Sequence, residues 1–303
     1  MLLRIKGLLL IACASVCFSC ASPNQYAEPI GKLETATNIT LEVTKARFSR
    51  SLELTREKAY LFAWINKESV RGDFKDENSD AFKASFTPAA LNARVALLQE
   101  LQNFCRLLSR VAGSDVDQQF GTAVQATGAK LAVIAKQLDP KTDIGETVSL
   151  LSNVVATIGS AIIEGKREEA IRSAIRDASP HVKRLAELLE LDLDDLNKDT
   201  TASLKNLVEA LANASDAELG KSQPGRLEVL KVFCKYNWER LLQPGLQEAH
   251  KKALDELENT YSKLEKFEPQ QDISTMLGQI EKFLDSAFSL FTFWEANDDQ
   301  ATN

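Results

Sequence analysis

Eight prolines punctuate the 303-residue chain, and none falls inside a good apolar repeat. The proline ring clashes in a helix interior but suits a first turn, so prolines spaced this way divide the chain into helical segments. Thr87-Pro88 opens one as N-cap and first residue, and Leu91, Val95, Leu98, Leu101, Cys105, Leu108 and Ala112 then recur every three or four residues up to Gly113. Ser114 restarts the pattern, which runs to Asp139-Pro140. Ser179-Pro180 and Gln223-Pro224-Gly225 open further helices, and Gln243-Pro244-Gly245 breaks or kinks one. Met276, Ile280, Phe283, Ala287 and Leu290 carry the spacing to the C-terminal region. Ile39, Leu41 and Val43 alternate like a strand, but Leu41, Phe48, Leu52, Ala59 and Phe62 keep the helical repeat for longer, so residues 38–70 read as helix. No pair of β-branched runs flanks a hairpin turn. The expected fold class is all-α: a bundle of roughly eight helices of about 15–30 residues, with a polar loop at about 71–86 and a central low-charge αα-hairpin.

That hairpin is the chain's compositional outlier. Between Gln118 and Ile163 only Lys130, Lys136, Asp139, Lys141, Asp143 and Glu146 carry charge. On a helical wheel Val148, Leu151, Val154, Val155, Ile158 and Ile162 share an arc with Leu150 and Ala161, opposite Ser149, Ser152, Asn153, Thr157 and Ser160. Residues 114–138 and 142–164 should pair antiparallel, with Gly121, Gly128 and Gly159 letting the backbones approach closely. Charge is costly inside a bundle, so one reading covers the hairpin on both faces. The other makes it membrane-entering or partner-seeking, superficially like the apolar hairpins of α-helical pore-forming toxins. The basic run that follows, Lys166, Arg167, Arg172, Arg176, Lys183 and Arg184, would then meet anionic headgroups; otherwise it is a solvated face.

Little else suggests chemistry. The net charge of −7, without a long Lys/Arg block, argues against nucleic acid as a partner. Of the two histidines, His181 has only Arg184 and Leu185 at helical spacing, and His250 heads a stripe continued by Leu257 and Leu264. Neither belongs to a Glu-x-x-His or His-Glu-x-x-His motif, so His250 reads as a partly buried packing residue. Asp195, Asn197 and Asp199 open like a calcium loop, but Thr200 and Asn206 stand where Gly and a bidentate Glu are needed. A solvated helix end with Thr200 as N-cap explains them better. No phosphate loop, nucleophile elbow or Cys-x-x-Cys pair occurs after the N-terminal segment. No catalytic, cofactor-binding or metal-ligating residue is therefore assigned, and an enzyme would need residues converging from distant helices.

The N-terminus carries an address. In MLLRIKGLLLIACASVCFSCAS, Arg4 and Lys6 precede the uncharged, mostly apolar stretch Gly7–Phe18, and small residues follow at Ser19, Cys20, Ala21 and Ser22. This is the pattern of a secretory signal, too short for a spanning helix. It resembles the signal peptides of bacterial prolipoproteins, which end in a lipobox closed by the lipidated cysteine. Ser19-Cys20-Ala21-Ser22 matches the last part of that pattern, whereas Cys17 and Phe18 stand where Leu and a small residue are usual. The resemblance covers residues 1–22 only. It implies a diacylglyceryl group on Cys20, cleavage before it, and an acylated N-terminus that holds the chain to a bilayer. Leu10-Ile11-Ala12-Cys13 is a second, shorter-headed match, and cleavage after Ala21 would instead release a soluble chain.

The organisation expected is a signal peptide at 1–19, a tether at 20–37 containing Pro23 and Pro29, and a bundle at 38–303. Besides Cys20, only Cys105 and Cys234 remain beyond the signal, both on apolar stripes, the latter beside Leu227, Leu230, Trp238 and Leu241. In an oxidising compartment a bridge between them would close a loop of about 130 residues; otherwise each is a separately buried thiol. The functional expectation is a lipid-anchored, periplasm-facing protein of a bacterial cell envelope, on the outer membrane. It would act through contacts with an envelope protein and not through chemistry, with a membrane-active protein as the alternative.

Overall fold

The computed structural model describes residues 27–65, 86–113, 118–138, 142–216, 223–266 and 273–302. Within them every element is a helix: α1 (Ala27–Ile65), α2 (Pro88–Gly113), α3 (Gln118–Gln137), α4 (Asp143–Ile163), α5 (Arg167–Arg176), α6 (Ser179–Asp216), α7 (Gln223–Glu265) and α8 (Ile273–Thr302). The all-α bundle is as expected, but the lengths spread more widely, from 10 residues in α5 to 43 in α7.

Proline placement accounts for several boundaries. Thr87 Oγ1 accepts a hydrogen bond from the Ala90 amide at 3.2 Å, so α2 opens at Thr87-Pro88 with a side-chain cap. Pro180 and Pro224 lie in first turns, where an amide hydrogen has no intrahelical partner anyway. Pro244 is the exception: α7 continues through it.

Two boundaries differ from expectation. The segment 27–37 is not tether but the start of α1, because Ile30, Leu33 and Ala36 recur at helical spacing and are buried. Pro29 is tolerated there because it sits in the first turn. The expected cap at Thr200 is also absent, since α6 runs unbroken from Ser179 to Asp216 with Leu193, Leu196, Leu204 and Leu207 buried on its inner side. The expected loop at 71–86 falls outside the described residues except for Phe86, which packs edge-on against Phe48 at 6.3 Å between ring centroids.

α1 is the axis of the bundle, packing on α2, α6 and α8 and touching α7. Three of its buried threonines satisfy their hydroxyl hydrogens within the helix. Thr40, Thr44 and Thr55 each donate to the carbonyl four residues back. The main core gathers side chains from all eight named helices. A smaller cluster joins Val43 to Leu246, Ala249, Ala253 and Leu290, and another, around Leu54, Leu204, Leu207, Leu211 and Tyr236, lies where the C-terminal half of α1 meets α6 and α7.

α3 and α4 form the expected antiparallel hairpin, in closer contact than any other pair. A Cβ on Gly159 would lie 2.9 Å from both the Gln125 amide nitrogen and the Gly121 oxygen, and one on Gly128 would lie 3.0 Å from the Ser152 oxygen. Only glycine permits that approach. Thr142 caps α4, and Gly165 at φ 76° ends it, with the Lys166 amide donating to the Ala161 carbonyl and the Gly165 amide to that of Ile162.

The hairpin is covered on its inner faces and open on its outer one. Val148, Leu151, Val155 and Ile158 are fully buried, and Ser152 is buried against α3, whereas Leu150, Asn153, Thr157 and Val133 face out. α4 is the one described helix long and apolar enough to cross a membrane, and half of that window is buried inside the bundle. The basic run after it is largely engaged. Arg167 donates to the Val111 and Ala112 carbonyls at the end of α2, Lys183 pairs with Glu258, and Arg184 pairs with Asp143 and Glu187.

Candidate functional site

His250 is not a packing residue at the edge of a stripe. It is 1% exposed and stands at the centre of a polar seam between α1, α6 and α7. Arg47 Nη1 donates to its Nδ1 at 2.8 Å, and its Nε2 lies 2.7 Å from Thr44 Oγ1. A guanidinium only donates, so Nδ1 accepts and the ring is neutral with its hydrogen on Nε2. That hydrogen goes to Thr44 Oγ1, whose own hydrogen goes to the Thr40 carbonyl at 2.7 Å. Arg47 completes its set on Asn197 Oδ1 of α6.

Burial, and then the charge of Arg47, hold the His250 pKa well below its ordinary 6.5. Burial likewise pushes Arg47 down to about 10. One turn along α1, Arg50 clamps the buried Glu239 with two bonds, 3.0 Å from Nε and 2.8 Å from Nη2, while its Nη1 lies 3.2 Å from Glu57. Burial opposes the charge on Arg50, but the hydrogen bonds and charge of Glu239 outweigh it and raise its pKa. Asn197, read as part of a solvated helix end, is therefore a partner of this seam. No sequence signal links it to Arg47, which lies 150 residues away in the chain.

The seam lies in the interior. His250 and Arg47 are closed off from solvent, and both ring nitrogens are taken by Arg47 and Thr44. The second histidine, His181, lies on α6, half-buried, and burial lowers its pKa.

The two cysteines are not bridged. Cys105 is buried and Cys234 is exposed, both as free thiols. Their helices pack mainly on other neighbours, α2 on α1 and α3, and α7 on α6 and α8. Cys105 shares a hydrogen bond with Tyr261, and burial pushes its pKa up to about 12, which leaves it an inert thiol. The stripe beside Cys234 is not packed inward but faces out: Leu227, Leu230, Trp238 and Leu241 are all exposed. Cys20, the expected lipidation site, lies outside the described residues. Among the described residues, no three His, Cys, Asp or Glu side chains group as a metal site.

What the surface offers is a groove of about 490 Å³ between α1 and α2, closed on one side by Phe291 of α8. Asn38, Ile39, Glu42 and Lys45 line it from α1, and Gln99, Gln102, Asn103 and Arg106 from α2. Gln102 Nε2 donates to the Asn38 carbonyl at 3.2 Å and to Glu42 at 3.1 Å, and Lys45 pairs with Glu42 at 2.7 Å. Partial burial pushes the Glu42 carboxyl up, but the bonds from Lys45 and Gln102 outweigh it and hold the pKa below the ordinary value. On the same helix as Phe291, Phe288 and Phe293 are exposed too. No family model, curated protein or solved structure matches the chain.

Proposed function

We propose that the protein is a lipoprotein of a bacterial cell envelope, held to the outer membrane through Cys20, and that it works by binding another envelope protein and not by catalysis. The observation that carries the contact role is the groove between α1 and α2 with Phe291 at its edge and Phe288 exposed one turn before it on α8. Large rings left in solvent are costly unless a partner covers them. The closed His250 seam and the inert Cys105 fit the same reading, because the groups best suited to chemistry are built into the interior.

The anchor rests on the sequence of residues 1–22. The membrane-active alternative draws less support, since the hairpin it depends on keeps Leu151 and Ile158 fully buried between neighbouring helices.

A photocrosslinking amino acid at Gln102 or Phe291, introduced in the native host, tests the contact role. One adduct of constant mass is expected from both positions. It should be absent from Lys198 on the solvent side of α6, and lost when Phe288→Ser is added. Adducts that arise equally from all three positions would contradict a partner bound at the groove.

A further inference from the structure

The outward stripe of α7 has its own chemistry. At 100° per residue Leu227, Leu230, Cys234, Trp238 and Leu241 fall within about 80° of arc. The four larger side chains are 54%, 44%, 46% and 60% exposed in that order without Cys234. The opposite side of the same segment serves the bundle, through buried Tyr236 and through Glu239, which is held by Arg50. After Pro244 the outward face changes character abruptly: Glu248, Lys252, Asp255 and Asn259 occupy it.

The charges flanking the stripe are mostly basic, in a chain whose net charge is −7. Lys231, Lys235 and Arg240 flank it against one exposed acid, Glu228, which pairs with Lys231 at 3.0 Å. A helix that presents leucines and a tryptophan, with cations at its flanks, matches an anionic lipid surface in both polarity and charge. A second copy matches in spacing alone. The stripe is symmetric about Cys234, so antiparallel pairing would set Leu230 on Trp238 and Leu227 on Leu241. The same two-fold axis, however, brings Lys231 beside the Lys235 of the copy, like charge against like.

We propose that this face of α7 docks in the plane of an anionic bilayer and so orients the bundle on the membrane. The proposal rests on the envelope reading only for the presence of a bilayer; docking and acylation are separate events.

Cys234 is the built-in probe. The full chain, purified from its native host, is reconstituted in vesicles of equal parts phosphatidylglycerol and phosphatidylcholine, and in phosphatidylcholine alone, and labelled with a water-soluble maleimide. Alkylation of Cys234 should be about tenfold slower in the anionic vesicles, and Lys231→Gln/Lys235→Gln should restore the faster rate. Equal rates in the two vesicles would overturn the proposal. So would protection in vesicle-free solution that grows with protein concentration and yields a bismaleimide-linked Cys234 dimer, which assigns the face to a second copy. Radiolabelled palmitate in the same samples separates the two claims. Label with an unprotected Cys234 refutes docking alone, and protection without label supports docking while refuting the anchor.

Discussion

Arg47 donates to Nδ1 of His250 over 2.8 Å, and both side chains are interior. The bond requires a neutral ring, so the fold excludes the imidazolium that free histidine forms below its ordinary pKa of 6.5. The unfolded chain accepts that proton and the folded chain does not. Stability from this site is therefore complete above about pH 6.5 and is lost as the pH falls below it. His181, also lowered by burial, contributes in the same direction. The melting temperature should be level between about pH 7 and 8 and fall between about pH 6.5 and 5. In His250→Gln, whose amide can both accept from Arg47 and donate to Thr44, most of that slope should vanish. An unchanged slope in His250→Gln would place the titration elsewhere.

Glycines at the hairpin contact and on open helix faces should respond in opposite directions. Gly159→Ala sets a methyl group 2.9 Å from two backbone atoms and must part α3 from α4, at a cost of about 1–3 kcal/mol. Gly278→Ala meets nothing within 4 Å and gains up to about 1 kcal/mol of helix propensity. Urea denaturation of the two variants reads both signs.

Leu151→Asp and Ile158→Asp bury a carboxylate at fully covered positions and should lower stability by several kcal/mol, about 3 or more. Asn153→Asp and Thr157→Asp, on the open outer face, should shift it by no more than about 0.5 kcal/mol. Calorimetry of the four variants makes the comparison, and a folded Leu151→Asp protein with the parent melting temperature would contradict a buried hairpin.

The thiols should separate by access. Alkylation of the native protein should modify Cys234 and leave Cys105 untouched, whereas alkylation after denaturation without reductant should modify both. Mass spectrometry of the two digests decides it; a Cys105–Cys234 disulfide peptide would contradict the free thiols.

The parts of this fold that could be read from the sequence are those set by local rules. Prolines in first turns, the Thr87 cap and the low-charge hairpin with its three contact glycines each depend on residues close in the chain or on a single repeat. The start of α1 was hidden by Pro29 and by the polar residues between Ile30 and Leu41. α6 was hidden at Asp195–Asp199 because its acids face outward while Leu193 and Leu196 carry the helix through. The outer stripe of α7 shows a different limit. Periodicity finds an apolar face, but α7 carries two, and only the packing of Tyr236 on Leu54 and Leu204 tells which one is inside. His250 is the clearest case, since Thr44 and Arg47, which hold it, lie 206 and 203 residues away.

The proposed anchoring through Cys20 would decide where all these surfaces act. The direct measurement is incorporation of radiolabelled palmitate in the native host, with membrane fractionation. The account predicts label on the chain that persists in Cys13→Ala and vanishes in Cys20→Ala, together with a shift of the Cys20→Ala label-free chain to a form extracted without detergent. Label retained in Cys20→Ala, or absent from the parent chain, would contradict it.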